Sequence, residues 1–145
     1  MPLPHPKTPT LRPIEVAAGL ICRGGKLLIT QRHAGSHLGG LWEFPGGKRE
    51  PGESFAQCLV REIREELGVV IAVGERFESV THAYPDKTVR LEFFVCRRLD
   101  GEPEPLGCAA LRWITRTELA DYEFPAADAR LLEKLKAATD LWQTS

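Results

Sequence analysis

From Glu53 to Gly68 the chain crowds four glutamates, Glu53, Glu62, Glu65 and Glu66, onto and just before one short segment whose ends are punctuated for helix. Ser54 followed by Gln57 has the form of a capping box, and Gly68 supplies a left-handed stop. Together they predict a helix of about fourteen residues. At about 100° per residue, Ala56, Leu59, Val60, Ile63 and Leu67 share one stripe, while Glu62, Glu65 and Glu66 gather on another face roughly 120° away. One face packs and the other holds carboxylates. Carboxylates three and four positions apart repel and raise one another's pKa unless a cation sits among them. Hard oxygen ligands on a rigid scaffold suit Mg²⁺ or Mn²⁺, and those ions suit a phosphate-bearing substrate. Taken alone, the three helical glutamates read better as a solvated face with Arg61 and Arg64 as salt-bridge partners.

Strands surround this helix. Ile14, Val16, Ala18, Leu20 and Cys22 alternate with less apolar positions, Gly24-Gly25 turns the chain, and residues 26–31 complete a predicted β-hairpin. Residues 33–47 carry five glycines and a proline and read as a long loop with a short extended piece at Leu41 to Phe44. Residues 69–84 and 88–96 are rich in β-branched and aromatic residues and meet at Pro85-Asp86, which predicts an antiparallel pair. A further strand is expected at Ala110 to Thr115, then a short helix near Thr117 to Ala120 and an amphipathic helix from about Ala126 to Ala138. The start of the chain, with five prolines in thirteen residues, blocks helix. It is read as a proline-rich extension, 1–13, before a single domain, 14–145.

Composition narrows the partners. The chain has 145 residues, 43% hydrophobic and 27% charged, enough for one real core and too few for a second ordinary domain. Nineteen Lys and Arg against twenty Asp and Glu give a net charge of -1. That lacks the basic field of a dedicated nucleic-acid binder, so no stable nucleic-acid partner is expected. The longest nearly apolar stretch, Val16 to Cys22, is seven residues, far below the roughly 18 that span a bilayer. Cys22, Cys58, Cys96 and Cys108 form no C-x-x-C pair or zinc spacing and are read as reduced, mostly buried thiols of a cytoplasmic protein. A monomer or weak homodimer is expected.

The full spacing reverses the reading of the glutamates. Gly47, five residues, Glu53, seven residues, then Arg61-Glu62-Ile63-Arg64-Glu65-Glu66-Leu67-Gly68-Val69 resembles the Nudix box at every specified position. The resemblance implies an α/β fold, an α/β/α sandwich around a mixed β-sheet, whose loop-helix-loop binds divalent metal and hydrolyses a nucleoside diphosphate linked to another group. Gln31-Arg32, residues 41–48, Tyr84-Pro85-Asp86, Trp113 and residues 124–128 are similar to the MutT branch, which cleaves 8-oxo-dGTP to the monophosphate and pyrophosphate.

By resemblance, the Gly46 carbonyl with Glu62 and Glu66 holds the essential metal, and Glu65 and Glu53 complete the set. The expected ion is Mg²⁺, with Mn²⁺ able to substitute. Glu62 or Glu65 is the candidate base for the attacking water, and Arg61 orients Glu53 and the loop backbone. Arg32 and His37 are candidate phosphate contacts, although Arg32 also reads as an ordinary strand-end arginine. Glu43, Phe44, Tyr84, Lys87 and Asp128 are candidate base contacts, with Phe44 open to a core role and Asp128 to a helix-capping one.

Two features depart from the branch. The best-known enzymes place Asn where this chain has Asp128, and an ionised Asp accepts hydrogen bonds but donates none. That keeps CTP, dCTP or a modified pyrimidine triphosphate open as the substrate beside 8-oxo-dGTP. The loop before Trp113, residues 105–110, carries no acid where many relatives have a glutamate. Glu102 and Glu104 stand nearby as substitutes, or the duty rests on the helix. A non-catalytic sensor or nucleic-acid-binding Nudix module is the alternative from another class. Such modules typically lose the box glutamates, and all are present here.

Overall fold

In the computed structural model, which describes residues 12–143, the sheet is built on β1 (Ile14–Arg23). The proline-rich start, apart from Arg12 and Pro13, lies outside the described residues. From Ile14 opposite Val89 to Ile21 opposite Cys96, β1 runs parallel to β6 (Lys87–Asp100). Its middle pairs antiparallel with β4 (Gly46–Lys48), and its end turns through Gly24-Gly25 into β2 (Lys26–Gln31). β2 pairs with β3 (Trp42–Glu43) and β7 (Ala110–Ile114), and β5 (Val70–Tyr84) closes the opposite edge against β6. One parallel pair among antiparallel ones makes the sheet mixed. Parallel neighbours need a long crossover, and here the intervening chain includes helix α1 (Phe55–Leu67).

Both faces of the sheet are covered because β1 is apolar on both. Ala17 and Ile21 face α1, where Cys58, Leu59, Ile63 and Leu67 pack with Val69, Ile71 and Cys96. Ala18, Leu20 and Cys22 face the other way, onto Leu131 and Leu135 of α2 (Ala129–Ala137) and Trp142 of α3 (Thr139–Trp142). The result is the expected α/β/α sandwich. All four cysteines are buried, and no disulfide joins them among the described residues. No described helix is long and apolar enough to cross a membrane.

Local signals set the ends of α1. Gln57 N–H donates to Ser54 Oγ at 3.0 Å, Ser54 N–H donates to Gln57 Oε1 at 2.8 Å, and Gly68 closes the helix at φ 71°. The packed stripe differs from expectation at one position: Val60 is 36% exposed and Cys58 is fully buried. The helix turns its Cys58–Leu59 edge into the sheet, which leaves Val60, about 100° beyond Leu59, over an open groove beside Ile71 and Val73. The C-terminal helix ends where expected, in a break at Ala138 (φ -90°, ψ 66°), but its first turn, Ala126–Asp128, is 3-10 and the short α3 follows it. Past the break the chain folds back, so that Trp142 is buried and its indole N–H donates to the Leu135 carbonyl at 2.9 Å.

One-sided packing of α1 makes a quantitative prediction. Ile63→Ala should lose about 2–5 kcal/mol in urea unfolding, and Val60→Ala less than about 1 kcal/mol. Similar losses at the two positions would contradict it.

Candidate active site

Two glycines bring the helix and the sheet into contact at the site. A Cβ on Gly46 would stand 1.9 Å from the Ala17 carbonyl oxygen, and one on Gly47 would stand 2.2 Å from Glu62 Cδ. Only without side chains can β4 lie flat on β1 and leave room for the Glu62 carboxylate to rest across it. The thiol of Cys58 donates to the Gly47 carbonyl at 3.4 Å and closes the contact from below.

One guanidinium gathers three of the four glutamates. Arg61 donates to both Glu53 oxygens (Nε to Oε2 at 3.0 Å, Nη2 to Oε1 at 2.7 Å), to Glu62 at 2.9 Å, to Glu65 at 3.3 Å and to the Lys48 carbonyl at 3.2 Å. The hydrogen bonds from Arg61 hold Glu53 down to about 2. At Glu62 burial outweighs the same arginine and pushes the carboxyl up. Glu65 stays largely exposed beyond it.

Glu66 stands apart. It turns from Arg61 into a pocket of about 350 Å³, and its Oε1 is buried with no hydrogen-bond partner. Burial first, then the charges of Glu43 and Glu62, push it up to about 8 against the pull of the Gly46 N–H. Among the described residues no three His, Cys, Asp or Glu side chains stand together as a metal cage. The four glutamates instead form an Arg61-bound trio and one uncompensated acid.

The far end of the pocket is built around a second buried acid. Asp128, 5% exposed, closes a 3-10 turn, Ala126–Asp128, just before α2. Burial, then the Glu43 charge, push it up to about 7. Its side chain makes no cap to the helix. Between the two ends, Arg32 Nη1 donates to Glu43 at 2.9 Å while its Nε donates to the His37 carbonyl at 2.6 Å. Arg32 therefore ties loop 33–41 to β3. Glu43 is itself pushed up by burial despite Arg32.

The His37 ring meets Tyr84 edge-on at 5.6 Å, and Tyr84 and Lys87 line the same pocket. Phe44 has both roles open to it in the sequence: it stacks on Phe124 in the core at 5.3 Å and lines the pocket.

The chain matches the NUDIX domain family over residues 16–134. It is 41% identical to the CTP pyrophosphohydrolase of Escherichia coli K12 over 127 residues, 88% of this chain and 94% of that one. It is 33% identical to the 8-oxo-dGTP diphosphatase of the same organism over 127 residues, 87% and 98% of the two chains. The solution structure of the E. coli ORF135 protein superposes with a TM-score of 0.76 at 40% identity, covering 89% of this chain and 92% of that one. The chain belongs to the Nudix family.

Nudix hydrolases generally use a divalent metal. In this Nudix chain the loop lacking an acid is not compensated by its neighbours. Glu102 is drawn outward to Arg23 at 3.0 Å, and Glu104 does not line the pocket. Gly107 and Cys108 occupy the rim instead, beside Glu66. The apolar wall of the pocket, Val16, Ala18, Leu91 and Phe93, is not singled out by sequence motifs. The β1 alternation is the one feature that points to it, since it puts Val16 and Ala18 on one face.

Asp128 binds its proton more tightly folded than unfolded, so its ionisation opposes folding as pH rises. Against Asp128→Asn, which does not titrate, the native chain should lose stability from about pH 4 to about pH 7 with a slope approaching about 1.4 kcal/mol per pH unit. Above pH 7 the difference should level off. Denaturant midpoints of the two proteins across this range check it, and a pH-independent difference would contradict the buried acid.

Proposed function

We propose that this Nudix protein is a Mg²⁺-dependent nucleoside triphosphate pyrophosphohydrolase that converts 8-oxo-dGTP to 8-oxo-dGMP and pyrophosphate. The observation that carries the reading is one pocket with an orphaned carboxylate oxygen at one end, on Glu66, and a buried acid at the other, on Asp128. The oxygen donors of Glu66, Glu62, Glu65 and Glu53 and the Gly46 carbonyl fit a hard cation, and the partnerless Glu66 oxygen is a group that such a cation satisfies. When bound, Mg²⁺ supplies neutralisation of the triphosphate and polarisation of the attacked phosphorus.

The chain's own residues supply the rest. Glu62 or Glu65 takes the proton of the attacking water, and Arg61 holds both together with Glu53. Arg32, just after β2, and His37, in loop 33–41, face the phosphates. The bridging bond breaks to release pyrophosphate and the monophosphate.

At the base, a neutral Asp128 offers an accepting C=O beside a donating O–H. 8-Oxoguanine presents the complement, an N7–H donor next to the O6 acceptor, whereas guanine presents two acceptors. Below about pH 7, where it holds its proton, the buried acid thus does what an amide does. Cytosine also pairs a donor with an acceptor, N4–H beside N3, so CTP or dCTP is a second reading. The 41% identity to a CTP pyrophosphohydrolase favours it independently.

The test is kcat/KM with Mg²⁺ for 8-oxo-dGTP, dGTP, dCTP and CTP, following pyrophosphate. A preference of about 10²-fold for 8-oxo-dGTP over dGTP, about 2.7 kcal/mol of transition-state discrimination, is expected. A cytosine preference assigns the second reading, and no turnover of any of them overturns both.

The preference should shrink as pH rises through about 7 and Asp128 loses its donor; the other titratable groups lining the pocket are Arg32, His33, His37, Glu43, Lys48, Glu66, Tyr84, Lys87 and Cys108. Glu62→Gln and Glu65→Gln should separate the base from its neighbour, the base losing about 10²–10⁴-fold in kcat. Near-normal turnover in both would remove the chemistry from the helix.

A further inference from the structure

A chain of ion pairs runs along the α1 face of the sheet to the back of the glutamate loop. It begins at Glu92 on β6, 1% exposed, which accepts from Ser79 Oγ at 2.6 Å, Arg90 Nε at 2.8 Å and Arg76 Nη1 at 3.2 Å. Arg90 reaches on to Glu15 of β1 at 3.5 Å. The other oxygen of Glu15 accepts from Arg49, from Nε at 2.9 Å and from Nη2. The last nitrogen of Arg49, Nη1, donates to the main-chain carbonyl of Glu53 at 2.7 Å. Arg49 is held through its backbone too, its N–H donating to the Glu15 carbonyl at 2.8 Å. Phe55, the first residue of α1, lies 5.5 Å from each of the Arg49 and Arg90 guanidiniums.

Glu53 is thus gripped from two sides, its peptide by Arg49 and its carboxylate by Arg61. Arg61 also holds Glu62 and Glu65, so any drift of Glu53 is passed to both. Arg49 is well suited to the task. Its planar fork spends two nitrogens on a carboxylate that Arg90 already fixes, which leaves the third aimed at one carbonyl. A lysine at that position has no such fixed fork.

We propose that Arg49 is a positioning residue, which with Glu15 and Arg90 sets the Glu53 peptide and through it the Arg61-bound glutamates. The proposal rests on the reading of those glutamates as the hydrolytic set.

The test uses the full chain and three variants, Arg49→Gln, Glu53→Gln and the double variant, with Arg76→Gln as a control that loosens the distant end of the network. Mn²⁺ binding is read without nucleotide from the electron-spin signal of the free ion, and kcat, KM and melting temperature are read in parallel. Arg49→Gln should weaken Mn²⁺ binding and lower kcat by about 10- to 100-fold, with KM for the triphosphate moving less than about 3-fold. In the Glu53→Gln background it should add less than about 2-fold, because both changes release the same group. Arg76→Gln should lower the melting temperature and leave kcat and Mn²⁺ affinity unchanged.

The proposal is overturned if Arg49→Gln lowers only the melting temperature, or if its effect multiplies fully with that of Glu53→Gln. Should the glutamine variant fail to fold, Arg49→Lys, which keeps the charge toward Glu15 without the fork, is read by the same criteria. A native chain that binds Mn²⁺ and hydrolyses no triphosphate would overturn the substrate reading. In that case the loss of Mn²⁺ affinity in Arg49→Gln still decides the positioning role.

Discussion

The contact of Gly46-Gly47 with β1 on one side and Glu62 on the other is the constraint on which the site depends. A side chain at either glycine would collide with backbone or carboxylate at about 2 Å, well inside any tolerable distance. Because the contact is that close, α1 lies against β4 with Cys58 hydrogen-bonded to Gly47, Glu62 one turn further along rests on Gly47, and Glu66 two turns along reaches the pocket. The helix itself is defined by purely local chemistry: the Ser54–Gln57 box, the Gly68 stop and the buried Leu59–Ile63–Leu67 stripe. Local signals form the helix, and the glycines decide where it sits.

Charge is distributed over this frame unevenly. Arg61 satisfies Glu53, Glu62 and Glu65 at once, a networked arrangement in which one ordered cation serves several acids and which is worth more than isolated surface pairs. Glu66 and Asp128 lie outside its reach, and both are pushed up chiefly by burial. Each is a site where the fold gives up stability for a group it does not itself use, the pattern expected of functional residues rather than packing. The network from Glu92 to Arg49 is the opposite case. A nearly inaccessible carboxylate there is fully provided with donors, and burial is outweighed so that Glu92 is held below the usual range.

Much of this was legible in the sequence because it is encoded over short spans. The capping box, the glycine stop, the β1–β2 turn and the antiparallel pair around Pro85-Asp86 are all signals within a few residues, and each lies where the sequence puts it. The box spacing and the stretches around Trp42 and Asp128 pointed to the family and to one pocket. What escaped is set by tertiary packing. Val60 and Cys58 exchange places because helix rotation about its axis is decided by the sheet. The short α3 beyond Ala138 follows from burying Trp142. The separation of Glu66 from its neighbours follows from where Arg61 finds Glu53, eight positions away. The Glu15–Arg49–Arg90 links join β1, a loop and β6, with no motif to announce them.

Glu43 connects the two ends of the pocket. Its charge raises both Glu66 and Asp128, and its only ion-pair partner among the described residues is Arg32. If Arg32 takes a phosphate as proposed, Glu43 loses the partner that holds its own carboxyl down, and wherever the pH still keeps it ionised its charge acts more fully on the two acids beside it. Toward Asp128 the effect is to favour the neutral form, which is the form that reads a donor beside an acceptor. Toward Glu66 it strengthens the demand for a cation at the carboxylate. On the proposed reading, a triphosphate engaging Arg32 would then favour metal at one end and the base-reading proton at the other. The coupling runs through a single carboxylate because burial raises all three acids, and a charge among buried groups is screened less than in water.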